Sequence, residues 1–228
     1  MKTQLKQNVN AKLKTSFYHC FYNLFTTLFT IQKNTKNSAP WILTIMYNWF
    51  EIINFFYSEN DPAREILLLH STQVRNKALW IASRLPFKVD FELIEAGAMV
   101  HDTGIRFCDA PDIGCFGDDE YLLHGILGAE NIRKLNISGG EKLARICERH
   151  TGSGILAAEI RERKLRLPER DLLPESAEEK IICLADKFFS KSGAMEEKSV
   201  DQIRKGMLKF GEASLERFDE LLKFASML

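Results

Sequence analysis

From Glu51 to the end of the chain, apolar residues recur at helical spacing almost without interruption. Ile66, Val74 and Ala78, for example, lie at intervals that are multiples of four and would share one side of a helix, and His70 falls on the same side. No stretch alternates apolar and polar residues for long enough to predict a sheet. The sequence therefore predicts an all-α fold, a helical bundle whose amphipathic helices bury their apolar sides against one another.

Local signals indicate where some of these helices begin and end. Ser138 with Glu141, and Ser176 with Glu179, have the spacing of capping boxes, so each pair predicts the start of a helix. Gly104 stands where a residue in the left-handed conformation is expected to end the helix that precedes it.

Residues 1–50 differ in composition from the rest of the chain. They contain six lysines and no Arg, Asp or Glu, so they carry a charge of +6 that the remaining residues balance. The apolar run from Phe17 to Ile31 is interrupted by polar residues and is too short to span a bilayer. We interpret residues 1–50 as an N-terminal extension, poorly structured or an amphipathic helix, and residues 51–228 as the folded domain. A chain that begins at Met46 is expected to suffice for function.

Charge and cysteine content limit the classes of function. Basic and acidic residues balance at 31 each, which argues against binding of nucleic acid duplexes through the phosphate backbone. Five cysteines without a CxxC pair fit neither a disulfide scaffold nor a thiolate zinc site. This pattern favours the reducing cytoplasm, and no segment predicts a transmembrane helix.

Four of the five histidines lie between residues 70 and 150, each on the apolar side of its predicted helix, and two aspartates are placed in the same way. Burial of a carboxylate without a partner is costly. A metal centre removes that cost, because cations neutralise carboxylates and accept imidazole nitrogens. The six candidate metal ligands are His70, His101, Asp102, His124, His150 and Asp186. Imidazole and carboxylate without thiolate favour Mn, Fe, Co, Ni or Zn.

The adjacent pair His101 and Asp102 adds a geometric condition. Neighbours on a helix diverge by roughly 100°, so both can bind one ion only near a helix end. Six ligands also exceed what one catalytic ion needs if positions are to stay open. The sequence therefore predicts two divalent transition-metal ions bridged by Asp102.

The order of these residues on a helical scaffold resembles that of the HD-domain superfamily of metal-dependent phosphohydrolases. The segment 101–104 is similar to the HDIG motif of that superfamily, and the segments 148–152 and 185–187 are similar to its later metal-binding motifs. The resemblance covers about residues 66–191. Residues 196–226, which follow it, are predicted to form helices that close the domain. It is closest to a branch whose members are known as HD or HDIG domain proteins.

The resemblance implies a division of the ligands between two ions. For the first ion these are His70, His101, Asp102 and Asp186, and for the second they are Asp102, His124 and His150. It also implies a reaction, the hydrolysis of a phosphoester in a nucleotide or related small phosphorylated metabolite. A metal-bridged hydroxide would be the nucleophile, and Asp102 would hold both ions.

Basic residues next to these ligands are candidates for catalysis and for binding of the substrate phosphate. Lys187 follows Asp186 and is the first candidate, with Arg149 beside His150 as the second. Arg106 is a third, because Ile105 occupies the position at which many relatives carry the phosphate-binding Lys. Lys77 lies two turns after His70 and is a candidate for substrate binding at the pocket mouth. Each of these side chains has the alternative of being a solvated surface group.

Two other functions remain open at this point. Some members of the superfamily are dinuclear iron oxygenases that use the same six-ligand arrangement. Iron-specific and air-dependent turnover would indicate that function. A non-catalytic module that binds nucleotides would bind metal and ligand without turnover. Hydrolysis supported by redox-inert Zn or Mn would favour the phosphohydrolase.

Overall fold

Nine α-helices make up most of the computed structural model, which describes residues 48–193 and 195–227. The helices are α1 (Trp49–Phe56), α2 (Pro62–Ala82), α3 (Phe91–Val100), α4 (His124–Lys134), α5 (Gly140–Arg149), α6 (Ala157–Glu162), α7 (Ala177–Lys187), α8 (Val200–Leu208) and α9 (Glu212–Phe224). The predicted all-α fold is confirmed. The proposed N-terminal extension lies almost wholly outside the described residues, so the division at residue 50 stays a prediction.

Helix α3 lies at the centre of the fold. Seven of its ten residues are buried, including Leu93, Ile94, Met99 and Val100. A helix that is apolar on nearly every side must be surrounded by other elements, and α3 packs against α1, α2, α5 and α7. Its C-terminal end therefore lies in the interior, where the surrounding helices can bring side chains to it.

Of the two capping boxes predicted from the sequence, the structure contains one. Ser176 and Glu179 form the predicted capping box at the start of α7. The capping box predicted at Ser138 is wrong, because α5 begins after Gly139, which has a left-handed backbone with φ 72°. Glu141 instead accepts hydrogen bonds from an arginine of α4.

The segment that joins α3 to α4 contains short regular elements. It contains 3-10 helices at Thr103–Phe107, Pro111–Ile113 and Tyr121–Leu123. Between them, β1 (Asp109–Ala110) pairs antiparallel with β2 (Cys115–Phe116). Two-residue strands are too short for period-two patterning to reveal them.

The two closing helices complete the described structure. Helices α8 and α9 pack against each other, and α9 also packs against α7. Within the described ranges, no helix combines the length and the apolar character that crossing a bilayer requires.

Helix α1 supports the turn that follows α3. Ile52 and Ile53 are buried in the core, and Tyr57, directly after α1, is 1% exposed. The Tyr57 hydroxyl donates a hydrogen bond of 2.8 Å to the carbonyl oxygen of Thr103. The first described helix is therefore part of the packing around the end of α3.

We expect a chain shortened to begin at Met46 to keep the thermal stability and the metal content of the full chain. A chain that begins at Asp61 would lose Ile53 and Tyr57, and each buried side chain of this size contributes about 1.5–3 kcal/mol. Its melting temperature, measured by circular dichroism, should fall by about 10 °C or more. Equal melting of the two shortened chains would contradict the role given to α1.

Candidate metal centre

The six candidate ligand side chains come from five helices and meet in the interior. Their places are His70 in α2, His101 and Asp102 directly after α3, His124 at the start of α4, His150 directly after α5, and Asp186 in α7. All are buried, and none of the six residues is more than 8% exposed. The structure thus brings together residues that are up to 116 positions apart in the chain. Their role as ligands stays a prediction.

Four of these side chains form a first group. His70 Nε2 lies 2.9 Å from Asp186 Oδ1 and 3.2 Å from Asp102 Oδ2. His101 Nε2 lies 3.0 Å from Asp102 Oδ2 and 3.5 Å from Asp186 Oδ1. Two imidazoles and two carboxylates are therefore close enough to hold one cation.

A second group shares Asp102 with the first. Asp102 Oδ1, the other oxygen of this carboxylate, lies 3.4 Å from His124 Nε2 and 3.3 Å from His150 Nε2. Each oxygen of Asp102 thus faces a different pair of imidazoles. This is the arrangement that a bridging carboxylate would need.

The end of α3 allows His101 and Asp102 to point at the same place. Helix α3 ends at Val100, and Asp102 has φ −105° and ψ 9°, outside the helical region. The change of backbone direction removes the divergence of about 100° that neighbours on a helix would have.

Gly104 has a different purpose from the predicted one. Its backbone is not left-handed, so the prediction of a left-handed helix end is wrong. A Cβ atom at this position would lie 1.9 Å from the carbonyl oxygen of His124 and 2.4 Å from the backbone nitrogen of Gly128. Gly104 is required because the turn after α3 packs directly on the first turn of α4, which carries His124.

Three of the histidine rings are fixed by hydrogen bonds to the backbone. The Nδ1 atoms of His101, His124 and His150 each lie 2.6–2.7 Å from the carbonyl oxygen of the residue three positions earlier. A carbonyl oxygen only accepts, so each Nδ1 carries the proton. In the neutral form of each ring, Nε2 then has a free lone pair that points towards the cluster, which is the tautomer that metal ligation through Nε2 requires.

The donor set fits a metal. His124 Nε2 and His150 Nε2 are 3.0 Å apart, and two free lone pairs at this distance repel each other unless a cation lies beside them. Asp102 Oδ1, which faces these two Nε2 atoms, is buried without a hydrogen-bond partner among the described residues. Buried polar atoms are rarely left in this state. Metal ions would satisfy these atoms.

The charge states also suit a metal. Burial by itself raises the pKa of Asp102, but His101 and Lys191 outweigh it and hold that pKa well below its usual range. Burial lowers the pKa of His124 to about 3, so this imidazole is neutral. Burial by itself lowers the pKa of His101, but the neighbouring Asp102 raises it to about 9. The proton that Asp102 favours lies on Nε2, where a metal ion would otherwise bind. Metal ligation needs ionised carboxylates and neutral imidazoles.

Two lysines contact the carboxylates of the cluster. Lys187 Nζ lies 2.7 Å from Asp186 Oδ2 and donates a hydrogen bond of 3.1 Å to the carbonyl oxygen of His150. Lys191 Nζ lies 2.7 Å from Asp102 Oδ2. Each carboxylate of the cluster therefore already has one ammonium group beside it.

The other candidate basic side chains have partners outside the cluster. Arg149 pairs with Glu175 at 2.6 Å and donates to a backbone carbonyl at 2.8 Å. Lys77 pairs with Glu197 at 2.6 Å. Arg106 lies over the ring of Tyr57, with 5.2 Å from its guanidinium carbon to the ring centroid. The structure does not bring Arg149 or Lys77 into contact with the six side chains, and their predicted contacts with substrate stay predictions.

Lys191 and Tyr121 are the site residues that sequence reasoning missed. Lys191 follows α7 in an irregular segment, where no periodicity indicates the direction of a side chain. The Tyr121 ring stacks on His124, with centroids 4.7 Å apart and planes 24° apart. The available signal was its position three residues before a candidate ligand, which is one helical turn.

The family comparison agrees with this geometry. The model of the HD domain family matches residues 67–190, more than half of the chain. The chain therefore belongs to the HD-domain family, and the resemblance drawn from the sequence is confirmed. HD domains bind divalent metal ions, and the buried His and Asp side chains of this chain form groups that could hold one.

Several proteins are similar to this chain. A tRNA (cytidine(56)-2'-O)-methyltransferase of Picrophilus torridus is 38% identical over 58% of this chain and 34% of its own length. The enzyme of that name from Thermoplasma volcanium is 31% identical over 72% of this chain and 43% of its own length. The protein MJ0778 of Methanocaldococcus jannaschii is 40% identical over 44% of this chain and 50% of its own length. The chain thus spans half or less of the length of these relatives.

One solved structure is also similar, at low sequence identity. The HD domain of the phosphodiesterase PgpH of L. monocytogenes covers 72% of this chain and 92% of its own length, with 16% identity and a TM-score of 0.42.

Substitution of Gly104 by alanine should disturb the cluster through the backbone of α4. The added Cβ would overlap the carbonyl oxygen of His124, so we expect a loss of about 3 kcal/mol in the free energy of unfolding. Displacement of His124 should also lower the metal content measured by mass spectrometry. Gly206→Ala in α8 is the matched control, because its Cβ would meet nothing within 4 Å. Unchanged stability and metal content in the Gly104 variant would refute this role of the turn.

Proposed function

We propose that this chain is a metal-dependent phosphohydrolase that cleaves a phosphoester of a nucleotide or of another small phosphorylated metabolite. The observation that carries the proposal is the position of Asp102 between two groups of buried imidazoles, with one oxygen facing each group. Membership of the HD-domain family supports the hydrolase class.

The ligands are assigned as two sets that share one carboxylate. The first set is His70, His101, Asp102 and Asp186, and the second set is Asp102, His124 and His150. When bound, two divalent ions from among Mn, Fe, Co, Ni and Zn would activate a water molecule as nucleophile and stabilise negative charge on the phosphoryl group. The backbone carbonyl groups that accept from Nδ1 keep the imidazoles in the required tautomer.

Lys187 is proposed as the residue that positions Asp186. Its ammonium group holds Asp186 Oδ2 at 2.7 Å while Asp186 Oδ1 faces His70 at 2.9 Å. The two oxygens of this carboxylate thus have separate partners, and the side chain keeps one orientation. The catalytic role predicted for Lys187 in the sequence becomes this supporting role, and Arg106 remains a candidate for contact with the substrate.

The names of two relatives do not extend to this chain. The methyltransferase names belong to whole proteins, of which this chain spans 34% and 43%. The cluster supplies metal ligands, which favour hydrolysis over methyl transfer as the reaction of this domain.

The proposal is tested by turnover of a phosphoester panel with metal-stripped protein to which Mn, Co, Fe, Ni or Zn is added. We expect Asp102→Ala to abolish hydrolysis and to lower the metal content sharply, because both sets of ligands lose their shared member. The helical content measured by circular dichroism should persist. Asp112→Ala is the matched control, since Asp112 is an exposed acidic residue of the same α3–α4 segment, and it should retain both activity and metal.

Three outcomes would contradict the proposal. Undiminished hydrolysis by the Asp102 variant would show that the cluster is not the active site. Turnover that requires iron and air would instead favour an oxygenase with the same ligands. Metal and nucleotide binding without turnover of any phosphoester would favour a non-catalytic binding module.

A further inference from the structure

Lys191 and Tyr121 lie between the buried cluster and solvent. The side chains of the six candidate ligands are at most 10% exposed, that of Lys191 is 13% exposed, and the residue Tyr121 is 38% exposed. Exposure therefore increases from the cluster through Lys191 to Tyr121. A substrate that reaches the cluster along this direction meets these two side chains first.

The pair contacts both halves of the cluster. Lys191 Nζ lies 2.7 Å from Asp102 Oδ2, the oxygen that faces His70 and His101. The ring of Tyr121 stacks on His124 of the second group. Lys191 Nζ also lies 5.8 Å from the centroid of the Tyr121 ring. The ammonium group is thus at the junction of the two groups.

The segment that carries Lys191 is attached to α2 by side chains. Gln73 donates a hydrogen bond of 2.8 Å to the carbonyl oxygen of Met195, and Lys77 pairs with Glu197 at 2.6 Å. The backbone nitrogen of Lys198 donates to the carbonyl oxygen of Phe188 at 2.8 Å. These bonds fix the irregular chain on both sides of Lys191, so its ammonium group is held in place before a ligand arrives. Preorganisation of this kind favours binding.

Lys191 retains capacity for a further partner. An ammonium group has three donors, and Asp102 takes one of them. Lys187 is less suited to bind substrate, because its ammonium group already contacts Asp186 and a backbone carbonyl and its side chain is 9% exposed. Arg149 is paired with Glu175.

The charge of the site indicates the charge of its ligand. The carboxylates of Asp102 and Asp186 are already balanced by the ammonium groups of Lys191 and Lys187, and the ligating imidazoles are neutral. Two divalent ions would then leave four positive charges in a largely buried site. An activated hydroxide removes one of them. A doubly charged phosphoryl group balances the remainder better than a singly charged phosphodiester does.

We propose that Lys191, supported by Tyr121, binds a non-bridging oxygen of the substrate phosphoryl group, and that this group is the doubly charged end of a phosphomonoester. This inference rests on the proposed phosphohydrolase function and adds a substrate-binding residue and a substrate class to it. The hydrogen bond from Lys191 lies on the side of Asp102 that faces the first group of ligands.

The test uses the full chain loaded with Mn and inorganic phosphate as the probe. Phosphate affinity is measured by calorimetry and metal content by mass spectrometry. Loss of one charged hydrogen bond should weaken phosphate binding by about 10- to 100-fold in Lys191→Met. The metal content should be retained, because removal of a cation beside Asp102 does not disfavour divalent ions. Lys191→Gln is a second neutral variant in case the first does not fold, and Lys191→Arg should recover most of the affinity.

Lys88→Met is the control, since Lys88 is exposed and its loss should leave phosphate affinity unchanged. Wild-type affinity for phosphate in Lys191→Met and Lys191→Gln, or loss of metal from them, would overturn the proposal and leave Lys191 as a counter-ion of Asp102. Failure of the wild-type protein to bind phosphate would overturn it too. Dimethyl phosphate, which carries one charge, should bind at least tenfold more weakly than phosphate, and equal binding would overturn the assignment to phosphomonoesters. These readouts do not depend on turnover, so they separate this inference from the proposed function.

Discussion

The buried carboxylate of Asp102 is the group on which the rest of this structure depends. Its two oxygens lie 3.0–3.4 Å from the Nε2 atoms of four histidines. The ammonium group of Lys191 lies 2.7 Å from Oδ2 of the same carboxylate. A fully buried carboxylate costs several kcal/mol unless cations and donors surround it. The end of α3 at Val100, the close packing of Gly104 on α4 and the lysines that follow Asp186 all serve to surround this one group.

Helix ends explain how so many polar side chains are accommodated in an apolar core. His101, His124 and His150 each lie at the end or the beginning of a helix, and each donates its Nδ1 proton to the carbonyl oxygen three residues earlier. Backbone groups at helix ends lack partners within the helix. The rings of His101 and His150 use such carbonyl groups, so one hydrogen bond both satisfies the backbone and fixes the ring. The carbonyl oxygen of Tyr121, which the His124 ring uses, also accepts from the backbone N–H of His124.

The basic residues show where reasoning from sequence neighbours reaches its limit. Lys187 and Arg149 each stand beside a candidate ligand in the sequence, yet Arg149 pairs with Glu175 and Lys187 contacts Asp186 and a backbone carbonyl. Lys191, five residues from the nearest candidate ligand, contacts the shared carboxylate instead. Long side chains have many rotamers, so adjacency in sequence does not determine which group an ammonium or guanidinium reaches.

The sequence by itself determined the helical class, the helix start at Ser176 and the membership of the HD-domain family. It could do so because helical periodicity and capping depend on residues within one or two turns of each other, and because the order of the motifs is preserved along the chain. Only the tertiary structure decided that Gly104 is needed for a contact with His124, that the α3–α4 segment forms a hairpin, and that Lys191 and Tyr121 lie over the cluster. Those features join segments that are distant in sequence, and no local pattern encodes the distance between them.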